Sequence, residues 1–232
     1  MTRPVLVLCS HGTADADGQA AVSALVAAVR SRARGEVRET WVDVQQPQVD
    51  EVVGAALAQG FSPVTIVPLL LSGGFHVHVD VARAAEADGV RATPALGPAP
   101  RLADLLVDRL HEAGADAGDS VVVAAAGSSD ARAVADVEAV VTGVRERWDG
   151  PVSVGYGSKA VPTVPDAVAA ARAAHPGRRV ALAGYLLAPG FFHDRLARAG
   201  ADLVTEPLLP VRAGAPVVDE RLVDLVLERA RA

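Results

Sequence analysis

Three ionisable side chains each stand at the end of an apolar stretch of the sequence. His11 follows the run 5–9, Asp43 ends a second run, and His76 follows a third run that closes on two glycines. Neutral imidazole and carboxylate are good ligands for divalent transition metals, and they bind them less tightly than thiolates do. Histidine, with an unperturbed pKa of ~6.5, also exchanges protons near neutral pH. These residue types therefore suit a metal site that releases its metal, or general acid–base chemistry.

The elements that must position these side chains alternate along the whole chain. Apolar runs rich in Val and Leu are typical of strands buried on both faces of a parallel sheet, and the segments between them have helical composition. We predict strands near 5–9, 37–44, 64–71, 90–95, 121–125, 152–156, 180–187 and 202–205. In the first half, helices are predicted near 20–34, 49–59, 79–88 and 101–113, and each strand of the second half is also followed by a candidate helix.

The two halves of the chain repeat one another. Three segments of the first half recur in order at an offset of 115 or 116 residues: 5–13 at 120–128, 41–47 at 156–162, and 70–75 at 186–191. A repeat of this length is too long for a solenoid unit and indicates two related domains. We predict an N-terminal domain at 1–117 and a C-terminal domain at 118–232, joined near 115–119.

The predicted fold is α/β, with two tandem Rossmann-like domains and parallel sheets. Ligands of such sheets bind beyond the carboxyl ends of the strands, which is where the three ionisable residues fall. The repeat acts as an internal control, because the second half lacks ionisable groups at the matching positions. The pairs are His11 with Ala126, Asp43 with Ser158, and His76 with Phe192, or with His193 if the alignment slips by one residue. This asymmetry favours one chemical site, in the first half.

At these motifs the sequence resembles the sirohydrochlorin chelatase family in its long, fused, two-domain form. His11-Gly-Thr resembles the family's first motif, and the segment 68–80, Pro-Leu-Leu-Leu-Ser-Gly-Gly-Phe-His-Val-His-Val-Asp, resembles its second. The degenerate segment 184–192 is also typical of fused members. The resemblance implies that His11 and His76 bind the incoming metal and that Asp43 stands where the family usually has glutamate. One departure is Ala14-Asp15, where an Arg-Asp pair often follows the first motif.

The resemblance also implies an activity. The chain would be an enzyme that inserts Fe²⁺ or Co²⁺ into sirohydrochlorin, the carboxylate-rich tetrapyrrole precursor of sirohaem and cobalamin, without ATP. The two sheets would face a cleft, the metal would be a substrate with no permanently bound cofactor, and one chain would act as a monomer because it supplies both walls. Two alternatives remain open: a protoporphyrin ferrochelatase, and a non-enzymatic two-lobed carrier of metal or tetrapyrrole.

The carboxylates of such a substrate need hydrogen-bond donors. We assign this role to residues of the loops after the strands, where backbone N–H groups at helix N-termini can bind anions. They are Ser10, Gly12, Thr13, Gly74, Ser128, Ser129 and Lys159. For the two serines of the second half, helix capping is the alternative. Near the second motif, His78 is a candidate third ligand and Asp80 a candidate partner that orients an imidazole.

Composition and short motifs argue against several other classes of protein and of binding site. A formal net charge of −6 argues against a nucleic-acid partner. The single cysteine, Cys9, excludes an intrachain disulfide and a multi-thiolate metal site, and we expect it to be a core residue. No targeting segment and no apolar stretch of the ~20 residues that a membrane span needs is visible, so we expect a cytoplasmic protein without membrane contact. No Gly-x-x-x-x-Gly-Lys phosphate-binding loop is present, in agreement with a reaction that uses no ATP.

Overall fold

A computed structural model describes residues 3–74 and 77–232. The chain forms two compact units, Met1–Leu96 with Val211–Ala232, and Gly97–Pro210. Each unit contains its own parallel sheet covered by helices, which confirms the predicted fold class.

The elements follow one another in the predicted alternation. In chain order they are β1 (Val5–Ser10), α1 (Ala16–Arg32), β2 (Glu36–Trp41), α2 (Val49–Ala58), β3 (Val64–Pro68), a π-helical turn (Val77–Val81), α3 (Ala82–Ala84), β4 (Val90–Ala92), α4 (Pro100–Glu112), β5 (Ser120–Ala125), α5 (Ala131–Arg145), β6 (Val152–Tyr156), α6 (Val164–Ala174), β7 (Val180–Tyr185), α7 (Phe191–Leu196), β8 (Leu203–Val204), β9 (Val211–Arg212), β10 (Ala215–Pro216) and α8 (Glu220–Arg231).

The two four-stranded sheets have the same topology. Their strand orders are β2-β1-β3-β4 and β6-β5-β7-β8, and every pairing in them is parallel. The central strands β1 and β5 carry apolar side chains that are almost completely buried, because helices cover both faces of each sheet. The strand order reverses between β1 and β3, and between β5 and β7, so the loops after these strands lie at the positions where such sheets bind ligands.

The last helix of each sequence repeat packs in the other unit. Helix α4 lies against α5 and β7, and its buried Arg109 donates to the carbonyl oxygens of Pro207 at 3.2 Å and Leu208 at 3.3 Å. Helix α8 lies against α1 and β3, and Arg229 donates to the Ala95 carbonyl oxygen at 2.8 Å. The compact units therefore differ from the predicted domains at 1–117 and 118–232. Because both repeats offer a similar sheet surface, the repeat pattern cannot indicate which sheet each helix covers.

Several predicted elements are shorter in the structure. The third strand ends at Pro68, and the Leu69 N–H makes its last bond to β1, donating to the Cys9 carbonyl oxygen at 2.7 Å. The second ends at Trp41, shortly before Val44 adopts a positive φ of 61°. The helix predicted at 79–88 is a π-helical turn followed by one short helical turn. The hairpin of β9 and β10 was not predicted; Ala213 and Gly214 form its turn, both with positive φ, as two-residue hairpin loops require.

Cys9 is a core residue, as predicted, with 0 % of its surface exposed. Burial raises the pKa of its thiol to about 12, and the nearby carboxylates of Asp80 and Asp50 add to the effect. In the part of the chain that the structure describes, no helix is long and apolar enough to cross a membrane.

We expect Cys9 to resist thiol reagents while the protein is folded, because the reactive species is the thiolate and burial suppresses both ionisation and access. At pH 8, Ellman's reagent should release no thiol signal from the native protein and one equivalent after denaturation. Rapid stoichiometric labelling of the native protein would contradict this expectation.

Candidate functional site

A tight backbone contact joins the loops that carry His11 and Asp43. Strand pairing continues past the sheet, since the Val42 N–H donates to the Ser10 carbonyl oxygen at 3.0 Å and the Asp43 N–H donates to that of His11 at 3.1 Å. Between them Gly12 has a φ of +90°, and a Cβ atom there would overlap the Asp43 carbonyl oxygen. Only glycine meets both requirements without strain. The structure thus brings two of the three predicted ionisable residues to one edge of the sheet.

Two glutamines that the sequence analysis did not single out hold this loop. The Gln45 side chain accepts from the Thr13 N–H at 2.9 Å, and the Gln19 side chain donates to the Thr13 carbonyl oxygen at 2.8 Å. The Thr13 hydroxyl in turn accepts from the Asp15 N–H at 3.1 Å. A sequence signal for the glutamines is weak, because surface amides occur in many loops; only their position beside the two motifs points to them.

Helix α1 begins later than the predicted anion site requires. Its N-cap is Asp15, whose carboxylate accepts from the Gly18 N–H at 2.7 Å. The N–H of Thr13 lies before the helix and is already bonded to Gln45. Gly12 and Thr13 thus precede the helix, which starts at Ala16 with its first turn capped by Asp15, and their predicted role in substrate binding stays a prediction.

The side chains of His11 and Asp43 are exposed, so both are accessible to a ligand. The His11 Nδ1 lies 3.3 Å from the Gly12 carbonyl oxygen, and one oxygen of the Asp43 carboxylate accepts from the Val44 N–H at 2.8 Å. Ser10 is 4 % exposed, and its hydroxyl has no hydrogen-bond partner among the described residues. A buried hydroxyl cannot contact a large substrate directly, so its predicted role in substrate binding receives no support here.

The second motif lies partly outside the described residues. His76, the predicted second metal ligand, and Phe75 belong to the segment that is not described. Beside it, the Gly74 carbonyl oxygen accepts from the N–H groups of Val77 at 3.1 Å and His78 at 3.2 Å, which starts the π-helical turn. Within residues 3–74 and 77–232, no three His, Cys, Asp or Glu side chains gather in a metal-binding group. A site made of His11, His76 and Asp43 therefore stays a prediction.

Asp80 lies in an ion-pair cluster. Arg83 contacts the carboxylate of Asp50 at 2.8 Å and that of Asp80 at 3.8 Å. The side chain of His78 is exposed. Asp80 thus has a partner in Arg83, and its role beside an imidazole stays a prediction.

The second repeat builds the same loop with inert side chains. Gly127 has a φ of +89°, and a Cβ there would overlap the Ser158 carbonyl oxygen. The Ser158 hydroxyl donates to the Ala126 carbonyl oxygen at 3.1 Å. Lys159, with a φ of 58°, takes the backbone position that Val44 has in the first repeat. The strained backbone therefore serves the fold in both repeats, whereas the histidine and the aspartate occur only in the first.

The predicted substrate contacts of the second repeat have different surroundings. Ser128 accepts from the Asp130 N–H at 3.1 Å, and Asp130 is itself the N-cap of α5, where it accepts from the Arg132 N–H at 2.9 Å. Neither Ser128 nor Ser129 is thus the N-cap residue. The side chains of Ser129 and Lys159 are exposed, and both remain accessible for the predicted role.

His193 has a structural contact in the second unit. Its Nε2 lies 3.1 Å from the Thr205 carbonyl oxygen, and the side chain is half-buried beside β7 and β8. The segment Val-Ala-Arg-Ala that starts at Val81 recurs as Leu-Ala-Arg-Ala at Leu196, an offset of 115 residues. At this offset His193 corresponds to His78.

A model of the CbiX family matches residues 5–113 and, a second time, residues 120–232. The chain belongs to the CbiX family. The two matches coincide with the two sequence repeats, and they confirm the family that the motifs predicted. No curated protein sequence shows significant similarity to this CbiX chain.

Solved structures show the same fold over nearly the full length. SirB from Bacillus subtilis with Fe³⁺ matches with a TM-score of 0.81 at 17% identity, covering 100% of this chain and 95% of that chain. The sirohydrochlorin chelatase SirB from Bacillus subtilis subspecies spizizenii, in complex with cobalt, matches with a TM-score of 0.78 at 15% identity, covering 99% and 94%. DR2241 from Deinococcus radiodurans, a multi-domain protein with similarity to chelatases, matches with a TM-score of 0.69 at 21% identity, covering 99% of this chain and 55% of that chain.

Proposed function

We propose that the chain inserts a divalent metal ion, Fe²⁺ or Co²⁺, into sirohydrochlorin without using ATP. One observation carries this proposal: the CbiX model matches both repeats, and the first repeat has His11 and Asp43 in the two joined loops where the second has Ala126 and Ser158. The chelatase fold of the SirB structures, which hold iron and cobalt, supports it. Sirohydrochlorin and the metal would both be substrates, with no permanently bound cofactor.

The residues of the first unit would carry the chemistry. His11 would bind the metal through a neutral imidazole, with His76 as a second ligand, and the exposed Asp43 carboxylate would offset the charge of the cation. Metal insertion releases two pyrrole protons, and an imidazole can accept them near neutral pH. An imidazole and carboxylate site without thiolates would also release the metal to the macrocycle. Ser129 and Lys159 would contact the substrate carboxylates from the second unit.

A turnover assay tests the proposal against its alternatives. The purified protein is mixed anaerobically with Fe²⁺ or Co²⁺ and an excess of sirohydrochlorin or protoporphyrin, and the absorbance of the metallated ring is followed. We expect many equivalents of metallated sirohydrochlorin per chain, above the uncatalysed rate. A reaction that stops at one equivalent would indicate a carrier, and turnover of protoporphyrin alone would indicate a ferrochelatase of that substrate.

Both metals should be accepted in this assay. Imidazole and carboxylate bind Fe²⁺ and Co²⁺, and cobalt generally binds more tightly than iron at such sites. The choice in the cell would then follow from metal supply, and a reducing cytoplasm would keep iron in the ferrous state. Insertion of cobalt with no detectable insertion of iron would contradict this dual use.

We expect the active species to be a monomer. One chain contains both repeats, and the second repeat lacks the counterparts of His11 and Asp43. One copy can lose these residues without loss of function if it always works together with the other copy of the same chain. Analytical ultracentrifugation at the enzyme concentration of the assay should give the mass of one chain. An obligate dimer whose dissociation abolishes activity would contradict this prediction.

A further inference from the structure

The second unit contains a cavity of about 400 Å³ whose lining includes none of the residues assigned above to the proposed reaction. It lies between the ends of β5 and β6, the start of α6, and helix α7 with the turn that follows it. Its walls are mostly small or apolar side chains, among them Ala125, Leu186, Phe192 and Leu196. A cavity of this size and lining accommodates the body of a small organic molecule.

Two arginines, Arg195 and Arg198, provide the charge of this cavity. Both are exposed, and the Arg195 guanidinium lies 5.3 Å from the centre of the Phe191 ring. No Asp or Glu lines the cavity, and neither arginine side chain forms an ion pair or hydrogen bond with any residue that the structure describes. Thr163, the remaining polar side chain apart from Tyr156, is already bonded to Asp166 at 2.6 Å.

The first repeat neutralises the arginine at the matching position. The sequence Val-Ala-Arg-Ala that contains Arg83 corresponds to Leu-Ala-Arg-Ala around Arg198, at an offset of 115 residues. Arg83 contacts the carboxylate of Asp50 at 2.8 Å and that of Asp80 at 3.8 Å. One positive charge beside two carboxylates gives that site a formal charge of −1, which disfavours an anion.

Both of these carboxylates are missing from the second repeat. The isolated parallel bridges that precede α2 and α6 are equivalent, and they align Asp50 with Pro165. The offset of 115 residues likewise places Arg195 where the first repeat has Asp80. The formal charge of the site changes from −1, for one arginine and two aspartates, to +2 for two arginines. A change in this direction creates an anion site from a structural ion pair.

We propose that this cavity binds a carboxylate carried on a short apolar body. The carboxylate would accept from the guanidinium groups of Arg195 and Arg198, and the apolar part would pack against Leu186, Phe192 and Leu196. Arginine matches the planar, bidentate geometry of a carboxylate, and the apolar walls disfavour a fully hydrated inorganic anion. The carboxylate belongs either to a free small acid or to a side arm of a larger molecule.

Calorimetric titration of the full chain at low ionic strength tests this proposal, with benzoate as the probe and benzamide as its uncharged analogue. We expect saturable binding of one benzoate per chain and much weaker binding of benzamide. The double variant Arg195→Gln/Arg198→Gln should weaken benzoate binding by about 10-fold or more, since each lost bond is charge-assisted. Because both side chains are exposed, this variant is expected to fold normally.

Arg83→Gln is the matched control, since it removes the equivalent arginine of the first repeat, and benzoate binding should not change. Equal binding of benzoate and benzamide, no saturable binding, or full affinity in the double variant would each overturn the proposal. Sirohydrochlorin that displaces benzoate would identify the ligand as a side arm of the tetrapyrrole, and simultaneous binding of both would identify it as a free acid. The titration needs no metal and no turnover, so its outcome is independent of the proposed function.

Discussion

Replacing His11 with alanine should lower the rate of metal insertion by about 10²-fold or more. In the proposed reaction its imidazole is both a metal ligand and a proton acceptor, and general acid–base catalysis alone typically contributes ~10²–10⁴-fold. His76→Ala should remove nearly all activity for the same reason, whereas a single remaining imidazole in His11→Ala could leave a trace. Initial rates measured with Co²⁺ and sirohydrochlorin at fixed pH give the comparison.

The fold should tolerate His11→Ala, because the side chain is exposed. Surface substitutions of this kind usually change the free energy of unfolding by no more than ~0.5 kcal/mol. His175→Ala, in the second unit just after α6, is the control that removes a histidine away from the proposed site, and it should keep full activity. Full turnover in a correctly folded His11→Ala protein would overturn the assignment of this residue.

Gly12→Ala should both destabilise the protein and inactivate it. Gly12 has a φ of +90°, and the new Cβ would overlap the Asp43 carbonyl oxygen, so the backbone must move. Such strain costs about 1–3 kcal/mol. The movement would separate His11 from Asp43, and a displacement of ~1 Å at a catalytic group can cost ~10²-fold in rate. Chemical denaturation and initial rates measure the two effects.

Gly127→Ala is the matched control for this variant. Gly127 has a φ of +89°, and a Cβ there would overlap the Ser158 carbonyl oxygen in the same way. We therefore expect a similar loss of stability but a smaller loss of kcat, because these loops carry proposed substrate contacts, Ser129 and Lys159, and no residue of the proposed metal site. If both variants lost activity equally while folded, the first repeat would not hold the only chemical site.

Much of the fold could be predicted from the sequence, because its signals are local. Runs such as Val5 to Cys9 are short, rich in Val and Leu and apolar at successive positions, as a strand buried on both faces requires, and they recur between helical segments. The repeat at 115 residues then gave the number of domains.

The candidate site was predictable only in part. The sequence places His11 and Asp43 after neighbouring strands, and the parallel register Ser10 with Trp41 brings the two loops together. It does not reveal that the Thr13 N–H is bonded to Gln45, nor that Asp15 caps α1 and moves the helix start away from the loop. These bonds depend on side-chain directions in three dimensions, which the order of residues leaves open.

The sequence by itself thus determined the α/β alternation, the duplication, and the loss of His11 and Asp43 from the matching positions of the second repeat, Ala126 and Ser158. The tertiary structure alone decided which sheet each terminal helix covers, with α4 in the second unit and α8 in the first. It also showed that Arg198, the equivalent of Arg83, lines a cavity, whereas Arg83 belongs to an ion-pair cluster. The physical reason is common to both cases: packing partners and ion pairs join residues far apart in the chain, whereas periodicity reports only on near neighbours.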